Sequence, residues 1–281
     1  MAQDTVFYQK IKQIFDQRST PLIMGILNVT PDSFFDGGKY TEEQYWLEHT
    51  KLMTEAGADL IDIGAYSTRP GAKHISETEE LERLIKVIVS IRKNYPETLI
   101  SVDTFRANIA EQAVTAGANI INDISGGTLD SKMFATIAKL DVPYVLMHIQ
   151  GTPENMQENP IYTDVVDEVA AFFREKVAEL NKLGVHNIIL DPGFGFGKTV
   201  EHNYQLLKNL DAFKEFDLPI LVGISRKSMV NKLLNIRSKD SVNGTSILNN
   251  IALQNGAKIL RVHDVKEAKE VVSIYEYLKD K

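Results

Sequence analysis

Polar and charged side chains recur in this 281-residue chain at the positions where short apolar runs end. In chain order they are Asn28, Asp62, Asp103, Asn122 with Asp123, His148, Asp191, Arg226 with Lys227, and Arg261 with His263. Each Asp or Asn alone is typical of a turn or a helix N-cap. Turn formation does not explain the whole set, because it gives no reason for the arginines, the lysine and the histidines. The set therefore predicts one shared polar pocket.

The cationic members of this set suit an anionic substrate such as a phosphate or a diphosphate. They are Arg69, Arg261 and His263, with Arg226 and Lys227 as further candidates. Arg261 and His263 are two residues apart, so a continuing strand would turn both side chains to the same side. Asn28 and nearby carboxylates could hold Mg2+, which takes oxygen ligands and usually bridges to substrate phosphates.

A second group of polar residues suits a planar heterocycle. Asp103, Asn122 and Asp191 follow the third, fourth and sixth apolar runs. Buried carboxylates and an amide can accept and donate hydrogen bonds at amino and ring N–H groups, while a lysine donates to a carbonyl. Because buried polar groups are normally paired, a bound ligand is a natural partner for them.

The segment DPGFGFGKT, residues 191–199, ends like a phosphate-binding Walker A loop. Pro192 stands where that motif requires its first glycine, and the spacing of a dinucleotide-binding motif is also missing. The segment instead predicts a glycine loop that presents Phe194 and Phe196. Either ring could stack on an aromatic ligand or pack beneath the loop.

The elements that position these residues alternate between strands and helices. Apolar runs of strand length cover residues 22–27, 60–63, 99–102, 119–121, 142–147, 188–190, 220–224 and 258–262. Helical patterns cover residues 41–56, 77–94, 106–116, 131–140, 164–183, 204–210, 242–255 and 265–278. Eight apolar strands alternating with helices indicate a parallel sheet, and the length suits a closed (β/α)8 TIM barrel. An open doubly wound sheet is the alternative, but reactive residues at nearly every strand end favour the barrel. A helix over residues 7–15 is expected to cap its floor.

Composition agrees with one globular domain spanning residues 1–281, since no linker or low-complexity tract divides the chain. The net charge of −7 argues against a nucleic-acid partner. The chain has no cysteine and shows neither a signal segment nor a long apolar run, so we expect a cytoplasmic protein without membrane association.

The motifs at the strand ends resemble, in order from residue 21 to residue 265, those of the dihydropteroate synthase family. They are MGILNVTPDSFFDGG, IDIGAYSTRPG, ISVDTFRANIA, INDISGG, MHIQGTPENMQ, LDPGFGFGK, GISRKSM and RVHDV. The resemblance implies a TIM barrel, usually dimeric, with Mg2+ as cofactor. It also implies the condensation of 6-hydroxymethyl-7,8-dihydropterin diphosphate with p-aminobenzoate, giving dihydropteroate and diphosphate for folate biosynthesis.

The resemblance also implies a role for individual residues. Pterin binding would fall to Asp103, Asn122, Asp191 and Lys227, with Met147 and Gly223 lining the slot. Asn28 would meet the magnesium and the diphosphate, and Arg261 and His263 would also hold the diphosphate. Two loops that close over the site would contribute Thr68, Arg69, Pro70 and Phe34. The p-aminobenzoate would lie beside Phe194, Lys227 and Ser228. Tyr66 and Phe35 stand where many members of the family carry other residue types.

Two other functions fit parts of the pattern. A pterin-binding methyltransferase domain that serves a corrinoid partner would share the barrel and the pterin carboxylates, but it does not need Arg261 and His263 for a diphosphate. A catalytically silent pterin-binding relative would not need the intact set of Asn28, Arg69 and Lys227. The sequence therefore favours the synthase.

Overall fold

The computed structural model describes residues 2–16, 19–29, 42–66 and 75–279. Its strands are β1 Leu22–Asn28, β2 Leu60–Gly64, β3 Leu99–Asp103, β4 Ile120–Asp123, β5 Tyr144–Met147, β6 Ile188–Asp191, β7 Ile220–Val222 and β8 Ala257–Val262. The strands pair in chain order, all parallel, and β8 pairs with β1 to close the barrel. This closure confirms the predicted (β/α)8 barrel and excludes the open sheet.

The helices lie between the strands in the chain. They are α1 Ala2–Phe15, α2 Glu42–Glu55, α3 Glu77–Asn94, α4 Ala107–Thr115, α5 Met133–Leu140, α6 Val165–Lys182, α7 Val200–Lys208, α8 Ser228–Leu234, α9 Val242–Gln254 and α10 Val265–Lys279. Short 3-10 helices cover Leu210–Phe216 and Ser238–Asp240. In the part of the chain that the structure describes, each helix is too short or too polar to span a lipid bilayer.

Each strand is buried on both sides, and alternate residues serve two separate cores. On β2, Ile61 and Ile63 belong to the large core between the sheet and the helices, whereas Leu60 belongs to a small core inside the barrel. The inner core takes residues from every strand: Leu22, Met24, Leu60, Leu99, Ile120, Val145, Ile189, Leu221 and Ile259. Because side chains alternate along a strand, the next inward residue lies two positions further on.

The amino-terminal helix α1 closes the lower end of this inner core. Ile14 is fully buried in it, and Phe7, Ile11 and Phe15 pack against it. The prediction of a helical cap on the barrel floor is therefore confirmed.

Several element bounds differ from the expected ones for identifiable reasons. Strands β1, β3 and β6 continue into Asn28, Asp103 and Asp191, because the backbone ladder accepts a polar side chain that faces the barrel interior. Helix α7 begins at Val200 and not at residue 204, because Thr199 caps it by accepting a hydrogen bond from the His202 amide. Helix α8, which follows Lys227 directly, was not predicted.

Candidate active site

The polar part of the barrel interior begins one layer above the apolar inner core and is organised around Asp62. This carboxylate is fully buried, and its Oδ1 accepts a hydrogen bond from Ser101 Oγ at 2.6 Å. Its Oδ2 accepts two more, from Arg261 Nε at 2.7 Å and from Asn122 Nδ2 at 3.1 Å. One oxygen atom thus connects a cation on β8 with an amide on β4.

Arg261 also reaches the third strand. Its Nη2 donates to Asp103 Oδ2 at 3.3 Å, so that the guanidinium lies between two carboxylates. Burial raises the pKa of Asp103; the positive charge of Arg261 opposes this change, and the negative charge of Asp62 adds to it. Asp62 and Asp103 together raise the pKa of Arg261 against the effect of its burial, so the arginine stays charged. The single positive charge of Arg261 therefore neutralises part of a cluster that contains two acidic side chains, Asp62 and Asp103.

The other side of the interior is formed by β6 and by the segment after β7. Asp191 Oδ1 accepts from the Gly193 amide at 2.8 Å, and burial raises the pKa of the Asp191 carboxyl in spite of the nearby Lys227. Burial lowers the pKa of Lys227 to about 8. A Cβ atom on Gly223 would lie 3.8 Å from Lys227 Nζ and 3.8 Å from Arg261 Cβ. The glycine therefore keeps open the space between the two cations.

The glycine loop, residues 192–198, contacts Lys227 in a way that corrects one prediction. The Phe194 side chain is fully buried in the outer core, so its ring is not available to border a substrate. It is the Phe194 carbonyl that faces the site, where it accepts a hydrogen bond from Lys227 Nζ. Lys227 Nζ also lies 4.7 Å from the centroid of the Phe196 ring. Phe196 is thus the loop aromatic that is placed to contact a ligand.

The remaining described candidates surround this centre. Asn28 is half-buried at the end of β1, in register with Gly64. Met147 is buried at the end of β5. The His263 Nδ1 atom lies 3.1 Å from Ser225 Oγ, and Ser228 is exposed at the start of α8. Thr68, Arg69, Pro70, Phe34 and Phe35 lie outside the described residues.

Three other residues at strand ends do not join the site. Asp123 faces the outer core, where its carboxylate accepts hydrogen bonds from Tyr144 Oη, Ser125 and the Gly127 amide. His148 lies beside Lys198. Arg226 forms an ion pair with Asp264. Tyr66 packs edge-on against Phe105, with ring centroids 5.3 Å apart.

Asp62 belongs to the strand-end set that predicted the pocket, but its central position, like the burial of Lys198, was not predicted from the sequence. A signal existed for Asp62, because a charged residue within the apolar run LIDIG requires a buried partner. The partner, Arg261, is 199 residues away in the chain, and pattern alone could not match the two. Lys198 resembled an ordinary loop lysine, yet only 4% of its surface is exposed.

Comparisons with known proteins agree with this barrel and its polar mouth. The model of a family described as "Pterin binding enzyme" matches residues 24–263. The dihydropteroate synthase of Escherichia coli strain K12 is 46% identical over 260 residues, which are 92% of each chain.

Two solved structures give the same result. The Yersinia pestis dihydropteroate synthase in a sulfonamide drug complex is 44% identical, with a TM-score of 0.88 over 93% of this chain and 95% of that one. The Xanthomonas albilineans dihydropteroate synthase with 4-aminobenzoic acid is 38% identical, with a TM-score of 0.88 over 95% of each chain.

The chain therefore belongs to the pterin binding enzyme family, and within it to the dihydropteroate synthases. The resemblance seen in its strand-end motifs is confirmed. Its reaction is the condensation of 6-hydroxymethyl-7,8-dihydropterin diphosphate with p-aminobenzoate to give 7,8-dihydropteroate and diphosphate, a transferase step of folate biosynthesis.

Proposed function

We propose that the described residues divide this reaction among three adjoining groups. Asp103, Asn122 and Asp191 bind the pterin, with Met147 and Gly223 beside it. Arg261 and His263 bind the diphosphate, and Lys227 serves both the pterin and the p-aminobenzoate. The observation that carries the proposal is the shared oxygen of Asp62, which hydrogen-bonds Arg261 and Asn122 at once. A pterin group and a diphosphate group must adjoin in this way when one methylene links them in the substrate.

Arg261 and His263 assist the departure of the diphosphate. The bond between the methylene carbon and the diphosphate oxygen breaks, and its electron pair leaves with the oxygen. A fixed guanidinium stabilises the negative charge that develops on this leaving group more than it stabilises the ground state. Among the described residues Arg261 Nη1 has no hydrogen-bond partner, so this end of the guanidinium can take a phosphate oxygen without first giving up a protein contact.

Asp103 and Asp191 stabilise the positive charge that the reaction develops on the substrate. Positive charge that builds on the methylene carbon delocalises into the dihydropterin ring, and carboxylates beside the ring favour it. Burial raises the pKa of both groups in the protein alone. A ring that donates hydrogen bonds and becomes cationic lowers each pKa again, because both effects favour the carboxylate. We therefore expect the two groups to be most fully ionised while the reaction proceeds.

The p-aminobenzoate side is formed by Lys227, Phe196 and the exposed Ser228. The arylamine is neutral at pH 7 and already nucleophilic, so it needs a fixed position more than a strong base. It attacks the methylene carbon and loses one proton after the new carbon–nitrogen bond forms. Bound 4-aminobenzoic acid in the similar Xanthomonas albilineans structure supports a site for this substrate on the same barrel. Contributions from Phe34, Thr68, Arg69 and Pro70 belong to the proposal as well.

The proposed cofactor is Mg2+, with Asn28 as its protein ligand. The Asn28 side chain offers a hard amide oxygen at the barrel mouth, which suits this ion. Among the described residues no group of three or more His, Cys, Asp or Glu side chains could hold a metal. The amide oxygen of Asn28 would therefore be the protein's contact to such an ion. When bound, the ion would neutralise charge on the leaving diphosphate.

The experiment that tests these roles is diphosphate release from the dihydropterin diphosphate, with and without p-aminobenzoate, in Mg2+ and then in EDTA. We expect release that requires p-aminobenzoate, stops in EDTA and returns when Mg2+ is added in excess. Release that continues unchanged in EDTA would remove the magnesium from the proposal. Tight pterin binding without any release would contradict the roles given to Arg261 and His263.

The same proposal covers assembly and location. We propose a single domain, a homodimer and a cytoplasmic site of action. Exposed apolar residues on the helices α8, α9 and α10 support a second copy as partner, since such side chains are typical of interfaces. They are Leu233, Leu234, Ile247, Ile274, Tyr277 and Leu278. Measurement of the molar mass by light scattering tests the dimer.

A further inference from the structure

Lys198 is a buried lysine that the proposed chemistry does not use. It lies at the end of the glycine loop with 4% of its surface exposed. Its ammonium nitrogen donates to the carbonyl oxygens of Gly193 and Phe196, each at 3.0 Å, and lies 2.9 Å from His148 Nδ1. A lysine ammonium has three N–H donors, so all three have a partner here. Two of these partners belong to the backbone of the loop itself, and a fourth, longer contact joins the nitrogen to the His148 carbonyl oxygen at 3.4 Å.

The loop held in this way lies very close to the chain that follows β5. Gly193 has a φ of +71°, and a Cβ atom there would lie 1.9 Å from the His148 carbonyl oxygen. Gly197 has a φ of +63°, and its Cβ atom would lie 2.5 Å from the Gln150 carbonyl oxygen. Both positions require glycine for conformation and for space. The loop backbone therefore has little freedom to approach the β5 segment, and Lys198 prevents it from moving away.

The opposite side of the same loop faces the active site. Its Phe194 carbonyl accepts from Lys227 Nζ, and the Phe196 ring lies 4.7 Å from that nitrogen. The loop therefore lies between two lysines. Lys198 binds the carbonyls of residues 193 and 196 from behind, and Lys227 binds the carbonyl of residue 194 from the substrate side.

We propose that Lys198 is a positioning residue for the p-aminobenzoate side of the active site. By fixing the glycine loop, it determines where the Phe194 carbonyl and the Phe196 ring place Lys227. The inference rests on the proposed role of Lys227 beside p-aminobenzoate. The pterin side depends less on Lys198, because the Asp191 carbonyl accepts from the His148 amide at 3.0 Å as part of the sheet.

The cost of burial supports a positioning role. Burial lowers the pKa of Lys198 to about 7, with Asp191 opposing this change and Lys227 adding to it. An apolar side chain of similar length would fill the same space without that desolvation. Such a side chain could not donate hydrogen bonds to two carbonyl oxygens of the glycine loop, and these bonds restrict a backbone that its glycines would otherwise leave flexible. The lysine thus provides a fixed loop geometry at the expense of stability.

The test is the variant Lys198→Met, which keeps the side-chain length and removes the three donors. Lys258 provides a matched control at the opposite end of the barrel. It is also buried, and its ammonium donates to the carbonyl oxygens of Ser19 and Thr20 at 2.7 and 3.2 Å. Lys258→Met therefore removes a comparable set of hydrogen bonds that lies away from the site.

We expect Lys198→Met to raise the KM for p-aminobenzoate about tenfold, the effect of losing hydrogen bonds from a charged donor. The KM for the dihydropterin diphosphate should change less than about threefold, and Lys258→Met should leave both constants unchanged. Two results with folded Lys198→Met protein would overturn the proposal: no change in either KM, or an equal rise in both. A Lys258→Met variant with the same raised KM would overturn it too.

A second variant keeps the proposal testable if Lys198→Met does not fold. The Tyr162 hydroxyl donates to the Gly197 carbonyl at 2.8 Å and holds the same loop by a single neutral hydrogen bond. Tyr162→Phe should raise the KM for p-aminobenzoate about threefold, and no change would contradict the proposal.

The variant Lys227→Met distinguishes a failure of the proposed role of Lys227 from a failure of the inference about Lys198. If it leaves the KM for p-aminobenzoate unchanged, the proposed role of Lys227 fails; if it raises that KM and Lys198→Met does not, only the inference about Lys198 fails.

Discussion

The two ends of the barrel interior are built from the same strands and differ in nearly every chemical property. At the floor, leucine, isoleucine, methionine and valine side chains from every strand pack against Ile14 of α1. Two residues further along the strands, the inward positions hold Asp62, Ser101, Asn122 and Arg261. A shift of one inward position thus separates a hydrophobic core from a polar site. The barrel obtains its stability and its chemistry from successive layers of the same strands.

Charged side chains with fixed partners occur at both ends, but their partners differ. At the floor, Lys258 donates to backbone carbonyls, and Asp59 Oδ2 accepts from the Ile23 amide at 2.8 Å. At the mouth, Arg261 pairs with the side chains of Asp62 and Asp103. The contacts of Lys258 and Asp59 lie away from the polar site and fix the fold. Charges that pair with other side chains can exchange one partner for a ligand, so the mouth is where substitutions should alter activity.

The largest expected effect is that of Arg261→Ala. Removing this guanidinium should lower turnover about 10³-fold, because the charge on the departing diphosphate loses its fixed cation. Binding of a pterin without a diphosphate should change little. The measurement is diphosphate release beside calorimetric pterin binding, with Arg226→Ala as control because Arg226 pairs with Asp264. Equal losses of pterin binding and turnover would contradict the division between the two groups.

A smaller effect is expected from Asp62→Asn, and Asp59→Asn, immediately before β2, gives the comparison. The amide that Asp62→Asn introduces can still accept from Arg261 and Asn122, but without the negative charge these hydrogen bonds weaken. We expect kcat/KM to fall about tenfold. Asp59→Asn should lower the free energy of unfolding by about 1 kcal/mol and leave kcat/KM unchanged. Urea unfolding and steady-state kinetics measure both. A loss of activity in Asp59→Asn would remove the distinction between floor and mouth.

The smallest expected effect is a dependence on pH. Burial lowers the pKa of Lys227 to about 8, while Asp191 and Asp103 oppose this change and Arg261 adds to it. The Lys227 side chain is fully protonated well below pH 8 and loses its charge as the pH rises, so kcat/KM should decline on the alkaline side. Lys227→Arg should move this decline to higher pH. Burial also lowers the pKa of Lys258 to about 8, yet Lys258→Met should leave the profile in place. If Lys258→Met shifted or removed the decline of kcat/KM at high pH, the assignment to Lys227 would be contradicted.

The barrel could be predicted from the sequence, because the repeated order of apolar run, polar end and helix is a local signal. It was also sufficient to place Asp103, Asn122, Asp191, Lys227 and Arg261 at one mouth, since parallel strands bring their ends together. The choice between Phe194 and Phe196 could not be made from the sequence. Two phenylalanines separated by a glycine look alike, and the left-handed backbone at the glycines decides which ring enters the core.

Pairings between distant strands were the other part that could not be predicted. The contact between Asp62 and Arg261 joins β2 to β8, which lie on either side of β1 but are far apart in the chain, and no periodicity in either strand indicates it. The same holds for Lys198 and His148, whose contact depends on the course of two loops.

The hydrogen bond from Lys227 to the Phe194 carbonyl has a consequence for how the site can evolve. A change in the gene at codon 194 alters the ring in the core but leaves the carbonyl oxygen in the chain. Variants selected to reject a mimic of p-aminobenzoate can replace Ser228 or Phe196, whereas neither replacement removes the Phe194 carbonyl oxygen from the chain. An inhibitor that relies on the position of Lys227 set by that carbonyl would therefore meet a part of the site that single substitutions at residue 194 do not remove.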